Sequence, residues 1–420
     1  PYFDENVEIS QYPDIPNNEF TRDEILSMLA KEMLDAAEQL PASQPEVGRI
    51  HKYIALAYAA KIKLYQAYQQ DEITHAVTSI NKELLREVVS LCDQVTASNR
   101  YGLLDDFQGL DLVTNENGKE SVFAIQYSMN DGTESAGRIN WSNLLNSPGG
   151  GSPYGGDGFF LPSQDLINAY QTDANGLPDF NYQSKSDYSW AALNNGVYTL
   201  QNTTPNVDPR LDFVVGRPTI TWKTYPDKPC EGWVRDKDTY GYNCAKRFWV
   251  SPESSDMFNG WPWGASQLNW QIIRYADILL WKAEALIELN EGNGLETARD
   301  LINQIRNRAR NSAYVKDFND HSKYAANYLV NPYPADVWNQ DYARQALRWE
   351  TRLEKALEGE RFFDLVRWGI VETTMNNYIT AESDNRIYYA NAHFTGGKDE
   401  YYPVPNNQYG FSGGKYVQNP

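Results

Sequence analysis

Nowhere do about 18 apolar residues run together, so no segment of this chain can cross a bilayer as a helix. Positive charge is also in short supply: 37 Lys and Arg stand against 56 Asp and Glu, a net charge of −19. Nucleic acids and anionic headgroups need clustered cations, so neither is a suitable partner. The four histidines, His51, His75, His321 and His393, are scattered without metal-ligand spacing. No GxSxG, Walker loop or CxxC pair occurs. No catalytic residue, metal site or cofactor is therefore assigned. Cysteine is scarce, with three in 420 residues. Cys92 lies on an apolar helical stripe and reads as an inert buried thiol. Cys230 and Cys244 bracket the loop CEGWVRDKDTYGYNC. A bridge there is left open; it would stabilise the loop by roughly 3 kcal/mol and imply export from the cytoplasm. No signal peptide precedes PYFDEN, so a processed or truncated form is expected.

What the chain has in abundance is aromatic surface. Aromatics make up 13% of it, and 29 Tyr and 12 Trp outnumber 15 Phe. Tyr and Trp join an apolar face to a hydrogen-bonding edge, which suits ligand surfaces as well as cores. The length exceeds what one core supports, and the periodicity divides it into three stretches. Residues 1–98 read as the N-terminal part of a helical scaffold. Thr21 and Glu24 form a capping box; Ile25, Leu29, Met33 and Ala37 then share one face, and Pro41 ends the helix. A second helix from about Arg49 to Tyr68 carries Ala55, Ala57, Ala59 and Ala60, which let a neighbour approach closely. A third runs from about Asn81 to Ala97 through Leu85, Val88, Cys92 and Val95. Helix, turn, helix at this scale is the tetratricopeptide unit.

The same grammar returns in residues 270–420, with helices from Ile273 to Leu289, Glu296 to Ala309, Tyr342 to Glu358 and Arg361 to about Met375, the last pair hinged at Gly359. Between them, residues 99–269 are rich in Gly, Pro, Asn, Ser and aromatics. Only short strand-like runs appear there, such as SVFAIQYS (121–128) and TITWKTY (219–225). A structureless loop of that length is improbable in a compact protein, so an irregular lobe with its own small core is expected. The fold class is mostly α: tetratricopeptide-like hairpins form a scaffold and carry a large loop-rich insert with a few short β-strands.

The densest charge pattern is LRWETRLEKALEGERFFDLVRWG (347–369), where Glu350, Glu354 and Glu358 recur at i, i+4 among arginines. A glycosidase pair is one reading; an ion-pair network clamping two helices is the stronger one. DANG (173–176) lacks the ligand spacing of a calcium loop and reads as a turn. GGGSPYGGDG (149–158) lacks a phosphate loop's Lys and reads as a surface loop.

Several segments, in order, resemble the SusD-like (RagB/SusD) outer-membrane nutrient-binding lipoproteins of Bacteroidetes. They are GRIHKYIALAYAAKIKLYQAY (48–68), NRYGLLDDF, ESVFAIQYS, DPRLDF (208–213), IIRYADILLWKAEALIEL (272–289), ARDLINQIRNRA (298–309), EGERFFDLVRWG (358–369), YYPVPNNQ (401–408) and the terminal YVQNP. The resemblance implies a non-catalytic glycan-binding protein on the outer face of the outer membrane, held by an N-terminal lipid anchor. It would deliver oligosaccharides to a SusC-like TonB-dependent transporter. The family has a further segment, with the lipidated cysteine and an early repeat helix, before the point where PYFDEN falls. That segment is expected to be missing here.

A sugar ring presents a C–H face that packs on an aromatic face and a hydroxyl rim that needs polar partners. FNGWPWGASQ offers both: Trp261 and Trp263 flank a proline, with Asn259 and Gln267 beside them, and proline lowers the ordering cost of binding. The loop around Trp233, with Arg235 and Tyr240, is the second candidate. Trp141, Trp190 and Trp249 are weaker ones. Trp270, Trp281, Trp349 and Trp368 lie in or beside helices and are assigned to packing. Two alternatives remain: a glycoside hydrolase, and a repeat scaffold that binds a peptide or protein.

Overall fold

The computed structural model describes residues 1–420 except 135–136, 142, 147, 150, 189–190, 195–196, 201–204, 224, 226–231, 242, 262, 385 and 420. Thr21 opens helix α1 (Arg22–Gln39) through the expected capping box: Oγ1 accepts from the Glu24 N–H at 3.2 Å and the Glu24 carboxylate accepts from the Thr21 N–H at 2.8 Å. Helix α2 (Lys52–Ala67) buries Ala55, Ala57, Ala59 and Ala60. These small side chains allow α1 and α3 (Lys82–Ala97) to pack closely on either side. Asn81 caps α3, accepting from the N–H groups of Glu83 and Leu84. Cys92 is buried in that interface, and burial pushes its thiol up to about 12.

The chain returns to this bundle through a strand. The segment from Trp270 was expected to lead directly into a helix, but Trp270–Arg274 (β2) pairs antiparallel with Ser121–Ile125 (β1) before the helix begins. The β-branched Ile272 and Ile273 suit that pleat. Helix α4 (Tyr275–Leu289) follows, then α5 (Gly294–Asn311) and α6 (Gln340–Glu354). Most of α4 is buried, as suits a central helix. Ile278, Trp281 and Ala285 join Leu56, Leu64 and Val88 of the N-terminal helices, while Ala276, Leu280 and Ala283 meet Ile302, Ile305 and Leu347. The two ends of the chain therefore share one core.

Two expectations need correcting. The helix expected from Arg361 to Met375 is broken into α7 (Arg361–Arg367) and α8 (Val371–Ser383), because Gly369 takes φ +66° against Val77. Among its described residues TITWKTY does not form a strand: Thr219 and Lys223 have φ of +66° and +51°, and the turn drives Trp222 into a core. DANG is a turn, with the Asp173 carboxylate accepting from the N–H groups of Asn175 and Leu177. The Cys230–Cys244 pairing lies outside the described residues, since Cys230 is among those omitted.

The charge-rich stretch forms an ion-pair network wider than a two-helix clamp. Glu350 and Glu354 are wholly buried on α6. Arg210, from DPRLDF, meets Glu350 at 2.6 Å and Glu354 at 3.2 Å, and binds Asp208 through two nitrogens. Arg306 on α5 reaches Glu350 at 3.0 Å, and Arg308, also on α5, pairs with Glu354. Arg274, at the end of β2, bonds Glu120, Glu354 and Glu358 at 2.7–3.0 Å. Burial alone would raise the Glu354 carboxyl, but Arg308, Arg274 and Arg210 hold it down at about 2. Removing one partner of a buried pair leaves charge uncompensated. Glu354→Gln is expected to lower unfolding free energy by about 3–5 kcal/mol; a denaturant midpoint unchanged from wild type would show that the network contributes no stability.

Candidate functional site: an aromatic shelf on the inserted lobe

Two loops meet to build the site. One leaves β1 and carries Trp141; the other leads into β2 and carries Trp261 and Trp263. Asn140 is buried, donates its N–H to the Ser266 carbonyl at 2.8 Å, and so fixes Trp141 beside the second loop. That loop folds back on itself: Phe258 N–H donates to the Ala265 carbonyl at 2.9 Å, and Gln267 N–H to the Asp256 carbonyl at 3.1 Å. Its tip therefore projects outward. Trp141, Trp261 and Trp263 are 48%, 61% and 56% exposed. The rings of Trp141 and Trp261 lie 5.4 Å apart at 51°.

Next to this shelf is a cleft of ≈ 360 Å³, lined by Asn259 and Phe258 on one side and by Asn130, Thr133, Glu134 and Arg138 on the other. Asp131 braces the cleft's outer loop. Its carboxylate accepts from Ser128 and Thr133, which holds it well below the usual carboxylate range. Asn259 is exposed beside the indoles. Gln267 is not free in the same way: its amide donates to the Asp256 carboxylate at 2.6 Å and braces the loop from within.

Trp233 requires a correction. It is only 4% exposed and packs edge-on against Trp222 at 5.9 Å, in a cluster with Tyr154 and Trp249. Its face is spent on the lobe's core, so it offers no platform. Trp249 is core for the same reason, and Trp190 lies outside the described residues. Arg235 is exposed, but its guanidinium donates to the Gly156 carbonyl at 2.8 Å, tying down the glycine-rich loop that passes beside Trp263. Tyr240 is 45% exposed, 6.0 Å from the ring of Tyr388. Tyr388 was not expected at the surface site; only the aromatic run RIYYANA hinted at it. Trp281 and Trp368 are buried in the helical core, while Trp270 and Trp349 are partly buried.

A family model described as the SusD family matches residues 119–420. The chain belongs to the SusD family. Solved SusD-like structures share its fold. A SusD superfamily protein from Bacteroides vulgatus matches with TM-score 0.61 at 20% identity, over 94% of this chain and 68% of that one. A SusD-like carbohydrate-binding protein from Bacteroides fragilis matches with TM-score 0.62 at 20% identity, over 96% and 73%. Surface glycan-binding protein A from Bacteroides uniformis matches with TM-score 0.57 at 18% identity, over 95% and 69%. No curated protein matches significantly in sequence.

In this SusD-family chain the two site loops are joined at their base by Asn269. Its side-chain oxygen accepts from the Tyr127 N–H at 2.7 Å, and its own N–H donates to Glu116 at 2.6 Å. Burial, aided by Asp256, pushes the Glu116 carboxyl from 4.5 up to about 7, against the Asn269 bond. A carboxyl with a raised folded pKa binds its proton more tightly in the native state. Its stabilising contribution is complete below the unfolded value and is lost as pH rises through about 7. Wild-type thermal midpoints should therefore fall between pH 4.5 and 7 relative to those of Glu116→Gln; parallel profiles for the two proteins would rule this out.

Proposed function

We propose that this SusD-family protein binds an oligosaccharide or polysaccharide at the bacterial cell surface and passes it on, uncut, to a SusC-like TonB-dependent outer-membrane transporter. The observation that carries the reading is the solvent-facing shelf of Trp141, Trp261 and Trp263 beside a polar cleft. Indoles this exposed forgo burial that the fold uses elsewhere, and the rings of Trp141 and Trp261 already lie together at 5.4 Å, which lowers the cost of ordering them on a ligand. A pyranose or furanose ring can lay its C–H face on an indole while its hydroxyls reach Asn259 and the polar wall opposite. Tyr240 with Tyr388, and Arg235, extend the candidate surface. The relatives named for carbohydrate and glycan binding support the same class of ligand.

Catalysis has no support in the one dense carboxylate group. Glu350 and Glu354 are sealed from solvent and satisfied by arginines, so no glycosidic bond can reach them. The finer parts of the proposal rest on the family: an outer-membrane location on the extracellular face, a lipid anchor N-terminal to this chain, and helical hairpins that face the transporter while the lobe holds the glycan.

An affinity-gel or calorimetric screen against plant, host and microbial polysaccharides tests the reading. Trp261→Ala and Trp141→Ala should each weaken binding on the order of tenfold, about 1.4 kcal/mol, with little change in thermal midpoint. Trp233→Ala should do the opposite, costing about 3–5 kcal/mol of stability as a core truncation without a specific loss of affinity. Full binding by both shelf variants would move the site elsewhere, and no binding to any glycan would remove the proposal.

A further inference from the structure

Away from the shelf, a cavity of ≈ 390 Å³ lies between α6, α7, α8 and the segment 160–183. That size is within the range of small-molecule sites, roughly 300–1,000 Å³. Phe160, Leu166, Leu357, Phe362, Met375 and Tyr378 make much of the wall apolar. Most of the charged groups that line it are already paired. Arg352 bonds Asp165 at 2.6 Å, Lys355 bonds Asp277 at 2.5 Å, and Asp364 bonds Arg367 at 2.8 Å.

Arg361 is the exception. Its guanidinium donates to the Arg348 carbonyl at 3.3 Å and lies 5.7 Å from the Trp368 ring centre, yet no carboxylate is paired with it among the described residues. Burial, and then the neighbouring Arg352, pull it down to about 9. Asp364 lies near enough to oppose that shift, but its carboxylate is bonded to Arg367, so Arg361 has no bonded carboxylate of its own among the described residues. Arg361 is partly buried, whereas the fully buried Arg210, Arg274 and Arg367 are each bonded to a carboxylate.

We propose that this cavity binds a small carboxylic acid with an apolar body, its carboxylate pairing with Arg361 and its body lying against Leu166, Phe362 and Met375. A planar guanidinium can hold a carboxylate through two parallel bonds, which fixes the head of such a ligand. The apolar wall then selects for the tail, aliphatic or aromatic. The site is separate from the aromatic shelf and does not depend on glycan binding.

Calorimetry and thermal shift on the full chain would use octanoate and 3-phenylpropionate as probes, with their primary amides as neutral controls of the same shape. Both acids are expected to bind more tightly than about 1 mM, to raise the thermal midpoint, and to exceed their amides at least tenfold. Arg361→Gln should abolish that preference, whereas Arg361→Lys should keep part of it. Met375→Trp retains the cation but fills the cavity, and it should block both acids even if the glutamine variant does not fold. Acids no tighter than their amides, or an acid preference surviving in Arg361→Gln or Met375→Trp, would overturn the assignment.

Discussion

The rest of the structure depends on the buried pairing of arginines with Glu350 and Glu354. Four elements distant in sequence converge there: the DPRLDF turn through Arg210, β2 through Arg274, α5 through Arg306 and Arg308, and α6 itself. Taking so many charges out of water is costly, and the arrangement holds because each carboxylate oxygen of Glu350 and Glu354 accepts from a guanidinium. Each arginine reaches more than one partner, so moving any one element would strand charge on the others. This is a geometric lock, and it joins the DPRLDF turn to β2, α5 and α6.

That lock matters for the surface above it. Arg274 ends β2, and β2 pairs with β1; the shelf loops spring from the opposite ends of those same two strands. Asn269 then bonds across the strands just before the loops diverge. Trp141, Trp261 and Trp263 are thus carried on a short, braced base, although the loops themselves are irregular. Beneath them, Tyr154, Trp222, Trp233 and Trp249 form the lobe's own aromatic core. The chain therefore divides its indoles by task. Some fill that buried cluster, and others stay wet.

Legibility followed local physics. The capping box at Thr21, the Asn81 cap and the apolar stripe of α3 are short-range features, and each element formed as its own residues required. Helix α4 starts late because β1, far earlier in the chain, takes its first residues as a strand partner. The break after α7 needs Gly369 to meet Val77, a contact no window of sequence contains. Arg210 was visible as a motif residue, but its partners on α6 were not. The intramolecular bonds of Gln267 and Arg235 were equally hidden, since a polar side chain in a loop looks the same whether it faces solvent or a neighbour.

By itself the sequence determined the helical scaffold, the acid balance, the irregular middle and the ordered motifs of the SusD family, because periodicity, caps and composition act over a few residues. Only the tertiary structure decided which tryptophans face water. Trp233 and Trp261 stand in similar glycine-bearing loops, yet one turns inward onto Trp222 and the other outward beside Trp141. Burial is set by what packs against a ring, and in both loops that neighbour comes from another part of the chain.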